Sequence, residues 1–163
     1  MKMRILMIGL LLLTSACGFH LRGSQTAKFN IDNVYIHSSS ATKLAAEVKL
    51  QLTSSGASVA TSAETAKYVL VLKQENFEKS VLSVNAGTGK VEEYQILYTA
   101  KMDVSQSDGK LIAEDDRIST SRDFTFDENA VLGKFSEEEL LQEDIIRRAA
   151  SQVLRRLQAL TAK

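Results

Sequence analysis

From residue 33 onward, apolar and polar positions change rhythm in blocks. Asn33-Val34-Tyr35-Ile36-His37 is a compact run rich in β formers and predicts a first strand. Ser38-Ser39-Ser40 then offers hydroxyls for a helix N-cap. Leu44, Ala45, Val48 and Leu52 follow at helical spacing, and Gly56 can close the C-terminal end, so a helix is expected over about 41–55. Residues 68–72 are continuously apolar, as in a central strand. Phe77, Val81, Leu82 and Val84 extend that run more raggedly toward a turn, which predicts a long second strand with a bulge.

Asn85-Ala86-Gly87-Thr88-Gly89 is turn chemistry, and after it the alternation is clean. Tyr94, Ile96, Tyr98, Ala100, Met102 and Val104 interleave with Gln95, Thr99, Lys101, Asp103 and Ser105, predicting a third strand. Asp108-Gly109 suits a tight hairpin, and Ile112, Ile118, Phe124 and Phe126 share one face of a long fourth strand antiparallel to the third. Ser136-Glu137-Glu138-Glu139 is a capping box, and Ile146, Ala149, Val153, Leu157 and Leu160 form one stripe of a long final helix. Acidic residues in its first half and arginines in its second complement the helix dipole. The expected order β-α-β-β-β-α describes an α+β, two-layer sandwich. Two helices lie on one face of a four-stranded, largely antiparallel sheet, with no second domain and no internal repeat.

The first residues follow another logic. Lys2 and Arg4 precede an apolar run over 5–13, and Thr14-Ser15-Ala16-Cys17 follows, which reads as a secretory signal peptide. The run is nine residues long, well short of the roughly 20 that span a bilayer. A Cys directly after small residues is the lipobox pattern of bacterial lipoproteins, although Leu13 lies one position further from the Cys than usual and Thr14 takes its place. The expectation is cleavage after residue 16, acylation of Cys17 and a tethered domain over 17–163. Two or more acyl chains make such an anchor stable. Gly18, where Asp would favour inner-membrane retention, points to the periplasmic face of the outer membrane.

Composition narrows the choices. The 163 residues carry 20 basic and 20 acidic side chains; loss of Lys2 and Arg4 with the leader leaves 18 against 20. This balance lacks the electrostatic footprint of a nucleic-acid partner. With a single Cys, neither an internal disulfide nor a cysteine metal cluster is available, and no cofactor or metal is expected. Gly87-Thr88-Gly89-Lys90 superficially suggests a phosphate loop, but its glycines are too close and Val91 stands where Ser or Thr is needed. His20 and His37 offer little for a triad or a metal site. Glu114-Asp115-Asp116 lacks the spacing of a calcium loop and reads as a solvated charge cluster. Lys134, in Gly133-Lys134-Phe135, is placed in the loop before the final helix, where it can present a basic group beside an aromatic. Paired carboxylates for a hydrolase are not excluded by residue type, so a glycan hydrolase and a plain envelope scaffold both remain open.

Cys17-Gly18-Phe19-His20-Leu21-Arg22-Gly23 resembles the mature start of the LptE/RlpB family of lipopolysaccharide (LPS)-assembly lipoproteins. Glu93-Tyr94-Gln95-Ile96, Arg122-Asp123-Phe124, Asp127-Glu128-Asn129-Ala130, Arg148-Ala149-Ala150 and Leu154-Arg155-Arg156-Leu157 are similar to that family in the same order. The resemblance implies a non-enzymatic protein that docks inside the outer-membrane β-barrel LptD, as plug and assembly partner, and binds LPS on its way to the outer leaflet. It also implies two basic LPS-binding positions. Lys134 matches one; at the other the nearest residue is Gly87, with Lys90 a few positions on. Lipid A phosphates attract ammonium groups without demanding fixed bidentate geometry, so Lys90 can serve from a shifted position.

Overall fold

A computed structural model describes residue 31, residues 33–125 and residues 134–162, with side chains in the last segment described from residue 138. The elements are β1 (Val34–Ser38), α1 (Thr42–Ser54), β2 (Tyr68–Val84), β3 (Val91–Gln106), β4 (Leu111–Thr125) and α2 (Lys134–Thr161). They follow the expected order. The strands form one sheet, β1-β2-β3-β4. β1 and β2 are parallel, and the other neighbours are antiparallel. A parallel pair cannot be joined by a tight turn, and α1 is the crossover that joins this one.

The serines before α1 act differently from the expected cap. The residue at the N-cap is Ala41, with no side-chain capping bond. Ser38 Oγ accepts the Ala41 N–H at 2.8 Å, while Ser40 Oγ accepts the N–H of Gln74 at 2.8 Å and so ties the helix entry to β2. At the other end Gly56, at φ +84°, leaves the helix as expected. The final helix begins at Lys134, two residues before the expected cap, so Ser136 lies in its first turn rather than before it.

The bulge expected in β2 is centred on Gln74 and Glu75. Lys73 pairs with Lys101 and Asn76 with Thr99, so two residues of β2 oppose Ala100 alone, and Gln74 takes φ 55°. Side chains therefore change face along the strand. Leu70 and Leu72 point to the helices before the bulge, whereas Phe77 and Lys79, opposite Tyr98 and Ile96, do so after it. A second bulge, with no counterpart in the sequence reading, sits in β4. There Glu114 and Asp115 oppose Asp103, Asp115 has φ 50°, and its N–H donates to Asp103 Oδ1 at 2.8 Å.

The core lies between the sheet and both helices. Ile96, Tyr98, Ala100, Met102 and Val104 of β3 are buried against Leu44, Val48 and Leu52 of α1 and the inner side of α2. The buried stripe of α2 is wider than the spacing suggested, adding Ile145, Ala150 and Leu154, because the helix rests on α1 as well as on the sheet. Gln51 of α1 bridges the two helices, donating to the Arg147 carbonyl at 2.9 Å and accepting from the Ser151 hydroxyl at 2.8 Å. The Tyr98 hydroxyl donates to Glu75 Oε1 at 3.0 Å; burial, and then the Glu75 charge, push it well above the usual phenol range. Leu154→Ala removes a fully buried side chain at the junction of helix and sheet. Urea denaturation should show a loss of about 2–5 kcal/mol; a loss below about 1 kcal/mol would mean that this part of α2 is not packed as described.

Candidate functional site

Strand register gathers three features at one end of the domain. The β2–β3 hairpin ends where Val84 pairs with Val91. β4 ends at Thr125, opposite Glu93. α2 then runs back along the sheet: Glu138 contacts Lys79, Asp144 contacts Arg122, and Arg156 contacts Asp116. Lys134, the first residue of α2, is one turn before Glu138, so its backbone lies on the same side as the hairpin tip that carries Lys90. Cys17 and His20 lie outside the described residues.

The tip is internally hydrogen-bonded. Asn85 Oδ1 accepts the N–H groups of Gly87 and Thr88, each at 3.0 Å. These are amides that a phosphate loop would need to offer, and here they serve the turn. The Asn85 N–H donates to the Lys90 carbonyl at 2.7 Å, and the Gly89 N–H to the Asn85 carbonyl at 2.8 Å. Gly89 has φ +70°, a conformation that is easy only without a Cβ. Lys90 is exposed. Beside it, Val81, Leu82 and Val84 are 52%, 48% and 54% exposed, so apolar surface continues on both faces of the hairpin end. The neighbouring acids are engaged within the hairpin: Glu92 accepts from Asn85 Nδ2 at 2.7 Å and Glu93 from the Ser83 hydroxyl at 2.8 Å. A basic group among exposed aliphatic side chains can hold an anionic amphiphile, with charge and chain recognised side by side.

Inward from the tip, Lys79 is fixed by three partners. It pairs with Glu138 at 2.7 Å and lies 4.7 Å from the Tyr94 ring centroid and 5.1 Å from that of Phe124. The two rings stack at 5.7 Å. Cation–π contact on two rings explains a lysine on the helix-facing side of a strand. Sequence reading did not single it out, because its inward direction exists only beyond the β2 bulge. Next along α2, Asp144 accepts from Arg122 Nη2 at 2.7 Å and Arg148 Nε at 2.8 Å. The Arg122 bond first, and then that of Arg148, hold its carboxyl below the usual range.

The acidic run at 114–116 is more organised than a solvated cluster. Asp115 pairs with Lys73 at 2.9 Å and Lys101 at 3.2 Å on the face away from the helices, while Asp116 pairs with Arg156 on the helix side. His37 stacks on Tyr35 with ring centroids 6.4 Å apart. Among the described residues there is no group of three or more His, Cys, Asp or Glu suited to a metal. No described helix is long and apolar enough to cross a membrane. The face away from the helices carries Gln95, Leu97, Thr99, Lys101, Ser119, Ser121 and Asp123, with Gln95 donating to Asp123 Oδ1 at 2.9 Å.

A family model described as LptE, lipopolysaccharide-assembly, matches residues 30–157, which contain every described strand and helix except the end of α2. The chain belongs to the LptE family. It is 29% identical over 161 residues to the LPS-assembly lipoprotein LptE of Photorhabdus laumondii, covering 96% of this chain and 87% of that protein. The solution structure of an uncharacterized lipoprotein B from Nitrosomonas europaea superposes with TM-score 0.73 at 26% identity, over 89% of this chain and 93% of that one. Rare lipoprotein B from Shewanella oneidensis gives TM-score 0.63 at 25% identity, over 77% and 94%. These likenesses agree with the mixed sheet and helix pair described here for an LptE-family chain.

The Asp144 pairing fixes the sign of a pH effect. A carboxyl held below its ordinary value contributes stability at neutral pH, and that contribution is lost as pH falls from about 4 through its lower folded value. Asp144→Asn should lower Tm at pH 7, and the gap to the wild type should narrow progressively as pH falls below about 4. An equal gap at both pH values would show that the loss comes from packing rather than from the charge.

Proposed function

We propose that this LptE-family protein is an outer-membrane lipoprotein that forms a complex with the β-barrel LptD and binds LPS during its delivery to the outer leaflet. In this reading residues 1–16 are a cleaved signal peptide. Acylated Cys17 anchors residues 17–163 at the periplasmic face, and the domain sits within the barrel as plug and assembly partner. The role is non-enzymatic. The family match over residues 30–157 carries the proposal.

Two features of the domain support it. The sheet face opposite the helices is uncovered by any described element and mixes polar residues such as Gln95, Thr99 and Ser121 with apolar Val69, Val71 and Leu97, which leaves it available to meet a partner wall. The hairpin end combines exposed Lys90 with half-exposed Val81, Leu82 and Val84, a combination that suits phosphate and acyl chain together. Lys134, matched by family likeness, starts α2 on the same side. Lysine serves phosphate as a point charge.

Purification through a C-terminal tag from mild-detergent extracts of the outer membrane should bring down a large β-barrel in near stoichiometric ratio. Absence of such a partner would refute the complex. Lys90→Asp combined with Lys134→Asp should weaken binding to immobilised LPS while leaving the circular dichroism spectrum unchanged, and unaltered binding would reject these two residues as the site. Thr99→Glu, on the open face, should lower recovery of the barrel complex without affecting LPS binding; normal recovery would show that the barrel contacts another surface.

A further inference from the structure

The two edges of the sheet are finished differently. β1 is five residues long, and the chain after α1 closes its outer side: Val34 bridges to Val59, the Ala60 N–H donates to the Val34 carbonyl at 2.9 Å, and the Asn33 N–H to that of Ser58 at 3.1 Å. β4 is fifteen residues long and ends the sheet on the other side. Among the described residues no backbone group pairs with its outer edge; Arg156 Nη1 donates to the Arg117 carbonyl at 2.8 Å, so the stretch left without a side-chain bond to its backbone begins at Ile118. An edge strand presents a row of N–H and C=O groups ready for another strand, unless proline, a bulge or cover prevents it. The chain has no proline, and the Asp115 bulge lies before the long stretch from Asp116 to Thr125, which pairs with β3 without interruption.

A groove of about 460 Å³ runs beside this edge. Thr120 belongs to β4, and Asp144, Arg147, Arg148, Ser151, Gln152 and Arg155 line it from α2. Three guanidinium groups thus face one carboxylate, and Asp144 is already shared between Arg148 and Arg122. Arg147 and Arg155 are exposed and have no ion pair among the described residues. A second copy of the chain is a poor occupant. Antiparallel pairing of β4 with itself about Thr120 would set Arg117 against Asp123 favourably, yet it would bring two arginine-lined grooves together. The charge excess instead selects a partner of opposite sign.

We propose that the outer edge of β4 is a docking site for an extended, acidic segment of a partner protein, which adds to the sheet as a fifth strand and sets carboxylates against Arg148 and Arg155. The added backbone continues the ladder, and the side chains supply specificity. Alternate side chains of a strand recur every 7 Å or so, while Arg148 and Arg155, seven positions apart on α2, are separated by about 10 Å along the helix axis. Flexible arginine side chains span that difference, and guanidinium groups take carboxylates in paired hydrogen bonds. The inference is independent of the identity of the barrel partner.

The test uses the purified full domain and an end-capped nonapeptide of alternating Thr and Glu, with a Thr/Lys peptide and inorganic pyrophosphate as contrasts. Binding is followed by titration and by hydrogen exchange of the amides at 117–124. The acidic peptide should bind and slow exchange in that stretch, and the Lys peptide should do neither. Arg155→Glu, at a side chain without a structural ion pair, should weaken binding about tenfold or more, a difference of about 1.4 kcal/mol, with Tm unchanged. Arg148→Gln with Arg155→Glu should weaken it further. Binding that leaves exchange at 117–124 unaltered, or that pyrophosphate abolishes while itself binding with equal affinity, would overturn the edge site in favour of a simple anion groove. Slowed exchange on raising protein concentration alone, with a doubled mass in sedimentation, would overturn it in favour of self-pairing.

Discussion

One strand register governs most of this domain: the placing of two residues, Gln74 and Glu75, against one on β3. A strand of seventeen residues twists strongly along its length, and a single inward row of side chains cannot follow both helices from end to end. The extra residue resets the pleat. Before it, Leu70 and Leu72 complete the core beneath the helices; after it, Phe77 packs on Tyr98 at 4.8 Å and Lys79 reaches the start of α2. The bulge is held by neighbours on both sides, with the Ser40 hydroxyl on the Gln74 amide and the Tyr98 hydroxyl on the Glu75 carboxylate.

The charges divide by face in a way that follows from this geometry. On the open face Lys73, Asp103, Asp115 and Lys101 form one linked set around the second bulge, and the two carboxylates hold the Lys73 ammonium above its usual range. Between the layers, among the described residues, three pairs join α2 to the sheet along its length, from Lys79–Glu138 through Arg122–Asp144 to Arg156–Asp116. Partly exposed ion pairs of this kind contribute little stability individually. Their effect is on alignment, since sliding the helix along the sheet would break all three together.

Much of the architecture was legible in the order of residues. The alternation in β3 is legible because that strand is central and buried on one face only, with Leu97 the apolar exception on the open face. β2 reads as one strand with a bulge because its apolar run continues only raggedly through Phe77, Val81, Leu82 and Val84, and the structure shows that Phe77 is out of phase with Leu70 and Leu72. The bulge in β4 left no such mark, since Glu114, Asp115 and Asp116 are all acidic and alternation carries no signal through them. Ser136 fits a capping box by pattern, whereas the helix starts at Lys134. The hairpin turn was readable from its glycines, but not the cation between Tyr94 and Phe124, which depends on a face reversal several residues away. Lys90 and Lys134 are 44 positions apart in sequence, and only the antiparallel return of α2 along β4 brings their backbones to one end.

The turn that carries Lys90 has a thermodynamic consequence. Because Asn85 has already bound the amides of Gly87 and Thr88 and closed a ring through the Lys90 carbonyl, a ligand bound there as proposed would find a backbone whose conformational entropy was surrendered during folding. Only the rotamers of the contacting side chains remain to be ordered, at about 0.5–1.5 kcal/mol for each immobilised one. A glycine-rich tip of this kind is therefore a preorganised mount for its lysine rather than a loop that must close around a guest.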